Sequence, residues 1–169
     1  KVVGISAQSH GTCARLNGGQ VWCWGSNDDG ALGDATTTHR SSPVQVGAIS
    51  HAVQLVSGLG YGCIRNEAGQ TWCWGRNNYG NLGDGSTTDR FAPVRVLNDS
   101  GFVDLAAGHL AACARKSNGT VWCWGRNFAG MLGDGSRTNR SSPVAMRLID
   151  DAIAVSVPGY YKTCVVRAN

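Results

Sequence analysis

The residues of this 169-residue chain with the widest chemical repertoire are seven cysteines, four histidines and eleven carboxylates. Metal binding, thiol redox and acid/base catalysis are therefore the chemistries to weigh against their spacing. The cysteines fall at 13 and 23, 63 and 73, 113 and 123, and 164, with no Cys-x-x-Cys, and His10, His39, His51 and His109 do not recur in step with them. A zinc site wants close ligand pairs, so no metal is expected. Asp34, Asp84 and Asp134 recur, but only one per glycine-rich loop, whereas a calcium loop needs several oxygen ligands. Each precedes an arginine by six residues, so these aspartates are expected to cap loop amides and pair with Arg40, Arg90 and Arg140. Asp28-Asp29 and Asp150-Asp151 are adjacent, and neighbours in extended chain point opposite ways. No nucleophile elbow, phosphate-cradling loop or oriented Cys–His pair is present. The chain reads as a non-enzyme without a cofactor.

What positions these residues is a repeat of 50. Val21-Trp22-Cys23-Trp24-Gly25 returns as Thr71-Trp72-Cys73-Trp74-Gly75 and Val121-Trp122-Cys123-Trp124-Gly125. Asn27, Asn77 and Asn127 keep step, as do Leu32-Gly33-Asp34, Leu82-Gly83-Asp84 and Leu132-Gly133-Asp134. Pro43-Val44, Pro93-Val94 and Pro143-Val144 close the units. A fixed period decides the architecture before local propensity does. Residues 1–50, 51–100 and 101–150 are read as complete units and 151–169 as the first half of a fourth, all in one structural domain or a fragment of one.

Within a unit the pattern is β. Strand A covers 3–7, 53–57, 103–107 and 153–157, short apolar stretches bounded by turn residues. Strand B covers 12–16 and strand C 20–25, joined by Asn17-Gly18-Gly19, and strand D starts at Pro43 on an edge where a missing donor costs least. Gly19, Gly69 and Gly119 hold the third place of each three-residue loop, which requires a left-handed residue. The loop length fixes the hairpin register, so that 15 faces 21, 14 faces 22, and Cys13 faces Cys23. By the same register Cys63 faces Cys73 and Cys113 faces Cys123, at distances a disulfide spans. Three hairpin disulfides are expected, the alternative being buried free thiols in a reducing compartment. Strand C carries Trp22 and Trp24 on one side and Cys23 on the other, so both sheet faces are apolar and both must be covered. Small sheets achieve this by stacking radially. The expectation is an all-β fold of propeller blades, each of four antiparallel strands, with about three and a half blades in this chain.

Trp24-Gly25-x-Asn27-x-x-Gly30-x-Leu32-Gly33-Asp34, repeated almost intact three times, resembles the repeat of the regulator of chromosome condensation family. The resemblance implies a seven-bladed propeller in full-length members. They include a nuclear exchange factor acting on a small GTPase, a plant light receptor, and secreted bacterial proteins, one of which inhibits β-lactamases through loops on one propeller face. The cysteine-bearing variant is similar to the exported bacterial kind.

Cys164 takes the strand B place of a fourth unit whose strand C partner would lie beyond Asn169. Three readings follow: a longer propeller, a free thiol, or a bond to another chain. An unfinished blade edge also invites self-association. Only 15% of residues are charged, and the net charge of +4 has no run of like charges, so no nucleic-acid patch is expected. No apolar run is long enough for a membrane span.

The A-to-B loops (8–11, 58–62, 108–112, 158–163) share one rim with the long C-to-D loops, and long loops on a rigid scaffold usually carry recognition. Partner-binding candidates are the residues that differ between units on that rim: His10, Tyr61, His109, Tyr160 and Tyr161 in the A-to-B loops, and Tyr79 and Phe128 in the C-to-D loops. Asn98, Asn118 and Asn139 fit the glycosylation pattern. The sequence thus points to a secreted or surface-displayed module binding another protein or surface macromolecule. A structural subunit assembling edge to edge is the alternative. A GTPase exchange factor, carried by the resemblance alone, fits poorly with a disulfide frame.

Overall fold

The computed structural model describes residues 1–7 and 10–168. Among these residues fourteen strands follow in order. The first sheet holds β1 (Val2–Ala7), β2 (Gly11–Leu16), β3 (Val21–Gly25) and β4 (Arg40–Gln45). The second holds β5 (Ala52–Ser57), β6 (Tyr61–Asn66), β7 (Thr71–Gly75) and β8 (Arg90–Arg95). The third holds β9 (Phe102–Ala107), β10 (Ala111–Lys116), β11 (Val121–Gly125) and β12 (Arg140–Ala145), and β13 (Ala152–Ser156) pairs with β14 (Cys164–Arg167). Each sheet is antiparallel with its strands in sequence order, and β1, β5, β9 and β13 pack successively side by side. This is a partial β-propeller of three four-stranded blades and a two-stranded fourth. No helix among the described residues is long and apolar enough to cross a membrane.

The hairpin register is the one the loop length dictates. Cys13 faces Cys23, Cys63 faces Cys73, and Cys113 faces Cys123. Gly19, Gly69 and Gly119 have φ of 76°, 76° and 81°, so any side chain there would be strained. All three facing pairs are disulfide-bonded, with Cα–Cα distances of 4.1, 4.1 and 4.0 Å. Three such cystines are the mark of an oxidising environment. Strand D begins earlier than Pro43: β4 starts at Arg40, which pairs with Gly25 after a register shift. Proline sits inside the strand because β4 is the outer edge of its sheet, where one side of the backbone has no ladder to break.

The apolar core lies between blades. The cystine-bearing face of one blade meets the tryptophan-bearing face of the next: Cys13, Cys23, Leu32 and Val46 pack with Ala52, Ile64 and Trp74. Cys63, Cys73, Leu82 and Val96 pack with Phe102, Leu105 and Trp124. The third cluster joins Cys113, Cys123 and Leu132 to Val155 and Val157. The indoles of Trp74 and Trp124 slot over the glycine of the preceding Leu-Gly-Asp loop, with Trp74 Nε1 donating to Ala31 O at 2.9 Å and Trp124 Nε1 to Asn81 O at 3.0 Å. A Cβ on Gly33 would come within 2.8 Å of the Trp74 ring, so glycine is required there. At the open face of the first blade Trp24 is only half-buried, and Ile5 is 70% exposed where its counterpart Leu105 is 2%.

Because every cystine closes a loop of ten residues, each should contribute about 3 kcal/mol by restricting the unfolded chain. Cys63→Ala with Cys73→Ala is expected to lower the unfolding free energy by about that amount in guanidinium titrations. An unchanged midpoint would contradict the staple.

Candidate functional site

The long C-to-D loops are built around a buried asparagine. Asn127 Oδ1 accepts from Leu132 N at 3.0 Å, and its Nδ2 donates to Asp134 Oδ1 at 3.1 Å, Ser136 O at 3.2 Å and Thr138 O at 3.1 Å. Asn27 and Asn77 make the same set in their own loops. The amide of each donates to the residue twelve positions on: His39 Nδ1, Asp89 Oδ1 and Asn139 Oδ1. The sequence motif is thus a loop-folding device, and the recurring aspartates belong to it.

Asp34, Asp84 and Asp134 each accept from a Thr or Ser two residues on and pair with Arg40, Arg90 and Arg140 at 2.8, 2.8 and 2.7 Å. Burial raises the Asp134 carboxyl, but hydrogen bonds from Ser136, Arg140 and Asn127 outweigh it and bring it down to about 2. Asp34 and Asp84 are lowered through the same opposing causes. The folded value lies below the unfolded value of about 4, so the ionised loops stabilise above that pH and lose their contribution as pH falls toward 2. The melting temperature should be flat from pH 7 to about 5, then drop between about 4 and 2. Asp134→Asn should shrink that drop; an unchanged acid profile in the variant would refute the assignment.

These loops fix a cluster on the rim. Arg126 and Phe128 flank Asn127 just past the end of β11, and their side chains meet: the Arg126 guanidinium lies 4.4 Å from the Phe128 ring centroid. It also lies 5.1 Å from the Tyr79 ring of the second blade and 5.8 Å from Tyr161 of the fourth. Phe128 and Tyr161 meet edge to face at 5.2 Å, Tyr161 adjoins Tyr160 at 5.7 Å, and Tyr160 stacks on His109 at 3.5 Å. Phe128, Tyr160 and Tyr161 are 47%, 49% and 53% exposed. Three blades therefore converge on one aromatic surface with a cation at its centre.

Of the seven rim candidates, the structure brings together Tyr79, His109, Phe128, Tyr160 and Tyr161. His10 lies apart, in a hollow of about 190 Å³ on the first and second blades, lined also by Ser26, Asp28, Asp29 and Arg76; residues 8 and 9 of its loop fall outside the described residues. Tyr61 is a correction. It belongs to β6, is fully buried, and its hydroxyl donates to Gly108 O at 3.0 Å and Ala111 O at 2.7 Å of the next blade. Burial pushes its phenol up, and the ring bolts blade to blade instead of facing a partner.

Arg126 was not a sequence candidate, although a signal existed: its place in the unit reads Ser26, Arg76, Arg126, a position where the repeats disagree. At the propeller axis a second hollow, of about 250 Å³, is lined by Ala7, Ser57, Ala107, His109 and Val157. Ser57 Oγ and His109 Nδ1 have no hydrogen-bond partner. Among the described residues no three metal-ligating side chains converge, and Cys164 is exposed and unbonded.

The architecture and rim define a class: disulfide-pinned propeller blades with a loop surface at one end. The chain belongs to the regulator of chromosome condensation (RCC1) repeat family, whose model matches residues 18–64, 68–114 and 118–165; a second RCC1 repeat model matches 2–31 and 102–130. It is similar to yeast RCC1 (Prp20) in its crystal structure with Kap60, with a TM-score of 0.85 and 16% identity over 99% of this chain and 42% of that one. Human WBSCR16 gives a TM-score of 0.85 and 16% identity over 99% of this chain and 45% of that one. The ectodomain of the Arabidopsis thaliana receptor kinase ACR4 gives 0.60 and 16% over 100% and 52%. The chain spans less than half the length of the first two, and at these identities the likeness establishes the fold. No curated protein matches.

Proposed function

We propose that this chain is a non-enzymatic binding module, secreted or displayed on a cell surface, that holds a protein partner on its loop rim without a cofactor. The observation that carries this reading is the convergence of Tyr79, Arg126, Phe128, Tyr160 and Tyr161 from three blades into one exposed surface. Exposed aromatic and arginine side chains on a rigid frame make good interface anchors, because few rotamers are lost on binding. The three cystines support the extracytoplasmic setting. Yeast Prp20p, of the same family, is itself a protein binder, with Gsp1p and histones as its described ligands, and this supports the class of partner. It does not extend to exchange on a GTPase, which takes place where cystines are reduced.

The test is partner capture from extracellular proteins of the source, followed by affinity measurement on the captured protein. A variant carrying Tyr79→Ala, Phe128→Ala, Tyr160→Ala and Tyr161→Ala should lose about 100-fold or more in affinity while its melting temperature and cystines are unchanged. Undiminished affinity would refute the rim. A second reading, edge-to-edge assembly, is favoured by one observation: the first blade leaves Ile5 and Trp24 uncovered. It predicts concentration-dependent association that Ile5→Ser reduces.

A further inference from the structure

Resting on the rim reading above, we infer that the partner is a protein that places a carboxylate side chain against Arg126, where Tyr79, Phe128 and Tyr161 flank it. The guanidinium lies 4.4 to 5.8 Å from the three ring centroids. Cation–π contact holds an arginine by its plane and leaves its in-plane N–H donors free. Those donors have no acid to meet. Arg40, Arg90, Arg95, Arg140 and Arg167 each pair with an aspartate, whereas among the described residues no carboxylate pairs with Arg126 and no hydrogen bond engages its side chain. An arginine already positioned by aromatic faces is pre-organised for a bidentate carboxylate.

The same arrangement selects against other partners. A protein that covered Arg126 with apolar surface would bury an unpaired charge, which is strongly unfavourable. The rim also changes sign along its length. The acids Asp28 and Asp29 lie at the first blade, beside Arg76, and Arg126 lies toward the fourth, against Tyr161. A polyanion running along the rim would meet repulsion at one end, while a folded protein with one acidic and one basic patch would fit both. The edge-to-face pair Phe128–Tyr161, at 86°, offers no parallel stack for successive bases. The ligand chemistry is therefore an isolated carboxylate in apolar surroundings, as on a protein surface.

The full chain should be titrated with the capped peptide Ac-Gly-Leu-Glu-Leu-Gly-NH2, with its Gln counterpart, and with inorganic phosphate. The Arg126 Nε–H resonance and tyrosine fluorescence are the readouts. At about 50 mM salt the Glu peptide should bind about tenfold tighter than the Gln peptide, with the margin narrowing as salt rises. Arg126→Gln should erase the preference with its melting temperature unchanged, and Arg126→Lys should keep part of it, since a point charge replaces a fork. Equal binding of the two peptides, no response to either up to about 10 mM, a preference that survives Arg126→Gln, or phosphate binding tighter than the Glu peptide would each overturn the assignment. If these fail while the four-aromatic variant still loses capture, only the charge assignment falls. If that variant captures its partner normally, the rim reading falls as well.

Discussion

Trp124→Ala should lower the unfolding free energy by about 3 to 5 kcal/mol, and Trp24→Ala by less than half as much. The two tryptophans hold the same place in the repeat, so local strand propensity cancels in the comparison. What differs is the neighbour. Trp124 is fully buried, lies over the Leu82-Gly83 loop of the preceding blade, stacks on Phe102 at 6.2 Å, and satisfies its indole N–H on Asn81 O. Its loss leaves a void that rigid strands cannot close, together with an unfilled carbonyl. No blade of this chain packs against Trp24, which is only half-buried, and its Nε1 meets no acceptor among the described residues. Trp74, buried in the same manner on Ala31 O, should behave like Trp124. Guanidinium unfolding of the three variants checks this, and equal losses would mean that the stability does not reside between blades.

Asn127→Ala should cost about 2 to 4 kcal/mol and also weaken partner binding, whereas an exposed neighbour such as Thr138→Ala should do neither. The fully buried Asn127 side chain satisfies Leu132 N, two loop carbonyls and Asp134 at once. Removing it strands the buried amide of Leu132 and takes the shared donor from the Ser136 and Thr138 carbonyls, and leaving a buried donor unpaired costs more than the bond itself contributes. The binding effect has a separate origin. Arg126 and Phe128 flank Asn127, so the loop that orients them loses its centre. Thermal melts and affinity measured on the same variant separate the two effects. A stable variant with full affinity would show that the asparagine neither folds the loop nor orients the rim.

The blades were legible because the repeat and the hairpin chemistry agree. A three-residue loop ending in Gly19, Gly69 or Gly119 leaves one register, and that register puts the cysteines face to face. The alternation of Trp22, Cys23 and Trp24 announces two apolar faces and hence stacked sheets. Two things were not legible. Tyr61 reads as a rim residue because its counterparts Gly11 and Ala111 are small and the repeat pattern starts β6 one residue later. Its hydroxyl is satisfied by carbonyls 47 and 50 residues away, a contact that only the stacking of blades creates. The role of Arg126 is hidden from the sequence for the same reason: Tyr79, Phe128 and Tyr161 come from three units, and their meeting depends on the rotation between blades, which no single unit encodes. Pro43 inside β4 is a smaller instance, since it marks an edge strand but not where the strand begins.

Recognition is expected on the rim formed by the A-to-B and C-to-D loops. Hydroxyl-radical footprinting of the chain with its captured partner tests it most directly. Tyr79, Phe128, Tyr160 and Tyr161 should be protected, with residues 67–69 and 117–119 on the opposite rim unchanged. Protection confined to those tight turns, with the four aromatic residues as reactive as in the free chain, would contradict it.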